Sequence, residues 1–180
     1  ASGSIGTFAI QLAKYYGAEV TGVGNPKSLE VMKSIGADNV IDYTKEEFNK
    51  NGKTYDVIFD IIGKSSFSSC IGSLNKNGIY LIANPKMVLI NREKRTAKKS
   101  DKKYISGNND TTKERTEQLK FLKELIEVGK IKSIIDRRYP LEKTAKNKCT
   151  MKPSTNSTRA MSLEIHCTRN LKTSGNTSAK

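Results

Sequence analysis

The feature that most limits what this chain can become is a short run, Asp56–Ile62, that is apolar at almost every position. A strand with one wet face alternates apolar and polar side chains. A strand this uniformly apolar has to be covered on both faces, as happens where helices flank a parallel sheet. The surrounding sequence supplies the helices. Ile5, Phe8, Ala9, Leu12, Ala13 and Tyr16 recur at the offsets of one buried helical face, and Gly17 closes that helix. A β-rich run over Glu19–Val23 is broken by Gly24-Asn25-Pro26. Leu29, Val31, Met32 and Ile35 then mark a second helix closed by Gly36, and Asn39–Asp42 reads as a strand. After Asp56–Ile62, a helix through Phe67–Leu74 leads to a strand at Gly78–Ala83. Strands alternating with helices at this spacing form right-handed βαβ units. The expected fold class is therefore α/β, with a doubly wound, Rossmann-like parallel sheet.

The second half of the chain is different in kind. Residues 84–116 are polar and irregular, with seven basic side chains between Arg92 and Lys103 that read as a solvated loop. Leu119, Leu122, Leu125 and Ile126 predict an amphipathic helix ending at Gly129, and Ile131–Ile135 offers a last strand. From Lys146 the composition shifts to Thr, Ser, Asn and Lys without an apolar period, the signature of a disordered or non-native tail with neither helix nor strand. This divides the chain into a domain over residues 1–145 and a basic, low-complexity tail over 146–180.

The formal net charge is +14, carried almost wholly by the second half: residues 1–90 hold 9 Lys+Arg against 8 Asp+Glu, and the rest hold 23 against 10. Such an excess raises an alternative, a non-catalytic basic protein that binds nucleic acid or an acidic partner through residues 92–180. The cluster lacks interleaved aromatics and any recognisable nucleic-acid module, which argues against nucleic acid. No run reaches the roughly 18 apolar residues of a membrane span, so no membrane partner is expected. Cys70, Cys149 and Cys167, three cysteines at long spacings, form neither a disulfide framework nor a zinc ligand set, and cytoplasm is the expected compartment. His166 beside Cys167 sits at irregular ligand spacing in the tail, and Cys70 reads as a small packed side chain. No metal site and no catalytic residue are assigned.

The candidate chemistry lies at the start of the first helix and at the strand tips around it. A Gly3-x-x-Gly6 turn opening a helix lets backbone approach a pyrophosphate, and the helix N-terminus offers free N–H groups and partial positive charge. The same two glycines also suit close helix packing, because the full dinucleotide fingerprint has a further glycine where Ala1 stands. In an NAD-binding unit an acidic residue at the tip of the second strand holds the ribose 2′-OH. Here that tip is Val23-Gly24-Asn25-Pro26-Lys27, with glycine in the acidic slot and a lysine nearby, a pattern that favours NADP over NAD. Lys27 is equally readable as a solvated loop lysine.

Three stretches resemble the zinc-independent, quinone-oxidoreductase-like branch of the medium-chain dehydrogenase/reductase (alcohol dehydrogenase) superfamily: Ala1–Lys14, Gly36–Tyr43 and Tyr55–Asp60. The later stretches Phe121–Lys132 and Ile135–Glu142 look like the same branch. The resemblance implies NADP(H) bound across the sheet and hydride transfer to a quinone, enone or related carbonyl compound, a small-molecule substrate, in a parent enzyme that forms a homo-oligomer. It matches Ser2, Gly3, Ser4, Ile5 and Gly6 to the pyrophosphate turn, and Lys27 and Tyr43 to the positions that hold the adenosine 2′-phosphate. Ile62 and Gly63 match residues lining the cofactor groove. Tyr43 also suits the bland role of a strand-end aromatic. Family members carry a β-rich catalytic domain and a first, central strand ahead of this point. A cofactor-domain fragment lacking its first strand is thus expected, and a shifted reading frame is expected to account for the tail.

Overall fold

The computed structural model describes residues 3–63, 65–85, 87–106, 111–135 and 164–168, the last of these and residues 87–89 by backbone alone. The elements in chain order are α1 (Ser4–Tyr15), β1 (Glu19–Gly24), α2 (Leu29–Ser34), β2 (Asn39–Asp42), β3 (Tyr55–Asp60), α3 (Phe67–Cys70), β4 (Leu74–Ile82), α4 (Met87–Lys98), β5 (Lys103–Ser106), α5 (Thr112–Glu127) and β6 (Glu164–Thr168). Single 3-10 turns precede α2 and β3 and extend α3 to Ser73. The six strands form one sheet in the order β2-β1-β6-β3-β4-β5. The pairs β1/β2, β3/β4 and β4/β5 are parallel, as the alternating pattern predicts.

Both faces of the sheet are covered. On one side Ile10 of α1 and Met32 of α2 pack with Val20, Ala18 and Ala37, with Phe59 and Ile61 beside them. On the other, Val23, Ile41, Ile58, Tyr80 and Ile82 pack with Phe48, Phe67 and Cys70. Ile58 and Phe59 are neighbours in β3 and belong to opposite clusters, which is why the run around them has no polar face. Cys70 is a packed side chain with no exposed surface.

Four expectations need correction. In α1 the period is right and the phase is wrong: the buried positions are Gly6, Thr7, Ile10 and Gln11, while Ile5 and Tyr16 are 52% and 71% exposed. Residues 84–116 are not one irregular loop, since α4, β5 and the start of α5 lie within them. The basic side chains concealed α4, whose described inward-facing residues include Glu93 and Ala97. No strand forms over Ile131–Ile135, although Ile131 is buried after α5.

The fourth correction concerns the tail, in which no strand is expected. Glu164–Thr168 runs antiparallel between β1 and β3, with Val23 and Asp60 both opposite Glu164, and Val20 and Val57 both opposite Cys167. In a doubly wound sheet of order 3-2-1-4-5-6, this is the place of the first strand. Among the described residues that place is held not by a parallel strand but by antiparallel β6. Two facing strand edges with unpaired N–H and C=O groups are a template for any extended segment. Glu-Ile-His-Cys-Thr, with β-branched Ile165 and Thr168, supplies one. The rest of the tail, Asp136–Glu142 and Cys149 lie outside the described residues.

Candidate functional site

In a sheet wound this way, ligands bind outside the C-terminal ends of the parallel strands, where successive helices leave on opposite faces. Gly24, Asp42, Asp60 and Ile82 mark that edge here. α1 begins at the same edge. Gly3 occupies its N-cap with no side-chain cap, no acidic residue stands in its first turn, and the first backbone bond closes from Thr7 N–H to the Gly3 carbonyl at 2.9 Å. The N–H groups of the first turn therefore have no intrahelical acceptor. Ser4 and Ile5 are exposed and Gly6 is buried. Ser2 lies outside the described residues.

The tips of β1 and β2 are joined, because the Tyr43 N–H donates to the Gly24 carbonyl at 3.2 Å. That bond sets Tyr43 beside the turn Asn25-Pro26-Lys27. The Tyr43 ring is partly buried against the core, and Lys27 is exposed with no ion pair among the described residues. A Cβ on Gly24 would stand 2.7 Å from both the Met32 methyl and the Ser28 hydroxyl, so backbone approaches helix α2 closely at this tip. Asn25 carries the signal that sequence reasoning missed: its Oδ1 is shielded from solvent and has no hydrogen-bond partner. An orphaned amide oxygen at a ligand-facing strand tip suits a donor from outside the chain. Asp42, at the tip of β2, is turned away from this role. Its Oδ1 accepts from the Thr44 hydroxyl at 2.7 Å and the Thr44 N–H at 2.9 Å, and the hydroxyl bond leads in holding the carboxyl below its ordinary value.

The third tip is built on Asp60, which is 1% exposed and was not singled out from sequence. Its Oδ1 accepts from the N–H groups of Ile62 at 3.0 Å and Gly63 at 2.7 Å, and its Oδ2 accepts from the Tyr80 hydroxyl at 2.8 Å. Gly63 has φ +73°, and a Cβ there would lie 2.8 Å from the Asn84 carbonyl oxygen. Ile62 and Gly63 thus shape the edge with their surfaces, since Asp60 already takes their N–H groups. The aspartate inside the apolar run 56–62, after Asp56 at its start, was the available clue.

The sequence pattern of the family described as zinc-binding dehydrogenase matches residues 35–147. The chain belongs to that family. The chain is 33% identical over 149 residues to a chloroplast envelope quinone oxidoreductase homolog of Arabidopsis thaliana, covering 79% of this chain and 44% of the relative. It is also 33% identical over 141 residues to an NADPH-dependent alkenal/one oxidoreductase, chloroplastic, of the same plant, covering 77% and 32%. In structure it is similar to the quinone oxidoreductase from Coxiella burnetii, with TM-score 0.66 and 24% identity over 83% of this chain and 46% of that one. These relatives place it in the quinone-oxidoreductase-like, zinc-independent branch of the medium-chain dehydrogenase/reductase superfamily. This family member spans less than half the length of the curated relatives it matches. Both are chloroplast proteins, so kinship gives the expected cytoplasmic compartment no support. No helix among the described residues is long and apolar enough to cross a membrane. Nor does any group of three or more His, Cys, Asp or Glu side chains among them suit a metal ion, so the described residues do not fit the zinc of the family's description.

Proposed function

We propose that this chain binds NADPH across the strand tips described above and forms the cofactor-holding part of an oxidoreductase acting on a quinone, enone or related carbonyl compound. The observation that carries the reading is the joined corner of β1 and β2. Glycine stands where an acid would repel a 2′-phosphate, Lys27 and Tyr43 flank it as a cation and a hydroxyl donor, and Asn25 Oδ1 faces the same turn without a partner. The bound cofactor supplies the hydride. The chain's own residues bind and orient. Gly3 to Gly6 offer the backbone N–H groups of the helix start to the diphosphate, with Ser2 ahead of them in sequence. Asp60 and Tyr80 fix the Ile62–Gly63 turn that would flank the cofactor, and the apolar Ile62 keeps water from that edge. Placement of two reactants is enough to supply a large share of such a rate, and no side chain here is assigned acid or base work.

The test is the ratio of the Kd values for NADH and NADPH, measured by nucleotide fluorescence on the parent chain and on Lys27→Ala. Loss of one exposed charge-assisted contact predicts a fall of about tenfold in NADPH preference, with NADH binding unchanged. An unchanged ratio removes Lys27 from the phosphate site. One observation favours the acidic-partner alternative: Arg92, Arg95 and Lys99 line a single open groove on α4. That reading requires affinity for a polyanion that falls steeply with added salt, whether or not NADPH is present.

A further inference from the structure

Behind the Ile62–Gly63 turn lies a small cavity of about 20 Å³, lined by Gly63, Ser65, Phe67, Tyr80, Glu93 and Tyr104 among others. That volume accommodates one water-sized occupant. Glu93 reaches the cavity from α4 and is 4% exposed; its Oε2 is sealed from solvent and has no hydrogen-bond partner. No lysine or arginine among the described residues forms an ion pair with it, and its sequence neighbours Arg92 and Lys94 are exposed. The other polar groups among the described residues that line the hole bring no positive charge. The Tyr80 hydroxyl lies 2.8 Å from Asp60 Oδ2 and 2.9 Å from the Ser65 carbonyl oxygen, so its single proton is already committed. The Tyr104 phenol is held above its ordinary value by burial first, then by the Glu93 carboxylate, with Asp60 adding to the same effect. Two carboxylates thus act on one enclosed hydroxyl.

A buried carboxylate oxygen without a donor or a counter-charge is costly, and here the cost sits beside an empty space. We propose that this cavity is a binding site for one monovalent cation of the size of sodium or potassium, held by the Glu93 carboxylate and completed by neutral oxygens of the cavity wall. A divalent ion is a poor fit. One unpaired carboxylate balances a single positive charge, whereas calcium and magnesium sites are built on more negative charge, from two or more carboxylates or from a ligand's phosphates. The inference rests on the cavity and on Glu93, and stands apart from the cofactor reading.

The experiment is thermal unfolding of the 180-residue chain in potassium, sodium and choline chloride at equal ionic strength, for the parent and for Glu93→Gln, which keeps the side-chain shape. The expected result is a Tm several degrees higher in potassium or sodium than in choline, rising with cation concentration as mass action requires, and lost in Glu93→Gln. Choline cannot enter a hole of this size. Tyrosine emission gives a second readout in folded protein, because the chain has no tryptophan and Tyr80 and Tyr104 border the site. Saturable change on potassium or sodium titration, absent in Glu93→Gln, is the expected outcome. Equal Tm and flat emission in all three salts, or the same response in the variant, overturns the proposal.

Discussion

A methyl group on Gly63 would meet the Asn84 carbonyl oxygen at 2.8 Å, on a backbone whose φ of +73° already disfavours any L side chain. Gly63→Ala is therefore expected to lose about 2 kcal/mol or more of stability in urea unfolding, against a fraction of that at an open position such as Gly72. Asp60 allows a sharper comparison. Asp60→Ala removes the acceptor of two backbone N–H groups and leaves the buried Tyr80 hydroxyl to the Ser65 carbonyl, a loss of about 2 kcal/mol, while Asp60→Asn keeps an acceptor for the turn and should recover much of it. If the two variants unfold at the same urea concentration, the turn does not depend on that acceptor. Asp38 contributes a pH dependence. Burial raises its pKa, but the Lys14 ammonium at 2.8 Å and the Val20 N–H at 2.7 Å outweigh this and hold it below its ordinary value of 3.8. A lowered folded pKa stabilises the fold above the ordinary value, and that stabilisation is lost as pH falls through the lowered one. The Tm difference between the parent and Asp38→Asn should thus be full near neutrality and close below about pH 4. At this scale Lys27 could be put forward from charge beside a strand-tip turn, and Tyr43 and Gly63 from resemblance to the family, all of them signals carried by single positions. Asn25, Asp60 and Glu93 could not, because what distinguishes them is a missing or shared partner, and partners are set only by packing.

α1 shows what a periodic pattern does and does not determine. Apolar side chains at helical spacing fixed its length and ends to within a residue. The buried stripe, however, runs through Gly6, Thr7, Ile10 and Gln11, because Gln11 pairs both its amide atoms with the backbone of Lys132 at 2.8 and 3.0 Å. Two directed hydrogen bonds orient the helix where a few partly buried apolar side chains would not. α5 starts on a capping box, with the Thr111 hydroxyl accepting from the Glu114 N–H and the Glu114 carboxylate accepting from the Thr111 N–H at 2.7 Å. Thr111→Ala is expected to destabilise the chain by about 1 kcal/mol, measured by urea unfolding, since little packing secures a helix whose only buried residue is Leu125. An unchanged midpoint would mean that the cap is not limiting. α4 was illegible for the opposite reason. Its sequence carries charge where a buried helix usually carries leucine, and the group it turns inward at Glu93 is itself an acid.

Over the whole molecule, the parallel pairs divide into β2-β1 and β3-β4-β5, and among the described residues only β6 hydrogen-bonds one set to the other within the sheet. A chain ending after Ala145 is therefore expected to expose both inner edges and to self-associate, visible as loss of the monomer peak in size-exclusion chromatography and of a cooperative thermal transition. A monodisperse product with the parent Tm would show that the two sets hold together by their helices alone. The doubly wound plan was legible because alternation of elements is written along the chain. The filling of its centre was not, since an antiparallel partner recruited from a polar tail leaves no periodic trace. That arrangement has a consequence for biosynthesis. When these 180 residues are synthesised by themselves, β3 is complete roughly a hundred residues before β6 emerges, and at about 5–20 residues per second the nascent chain carries two raw strand edges for on the order of ten seconds. For that interval the ribosome-bound chain presents a ready acceptor for any extended peptide nearby, so its yield in a cell should depend on how well chaperones shield those edges until Glu164–Thr168 arrives.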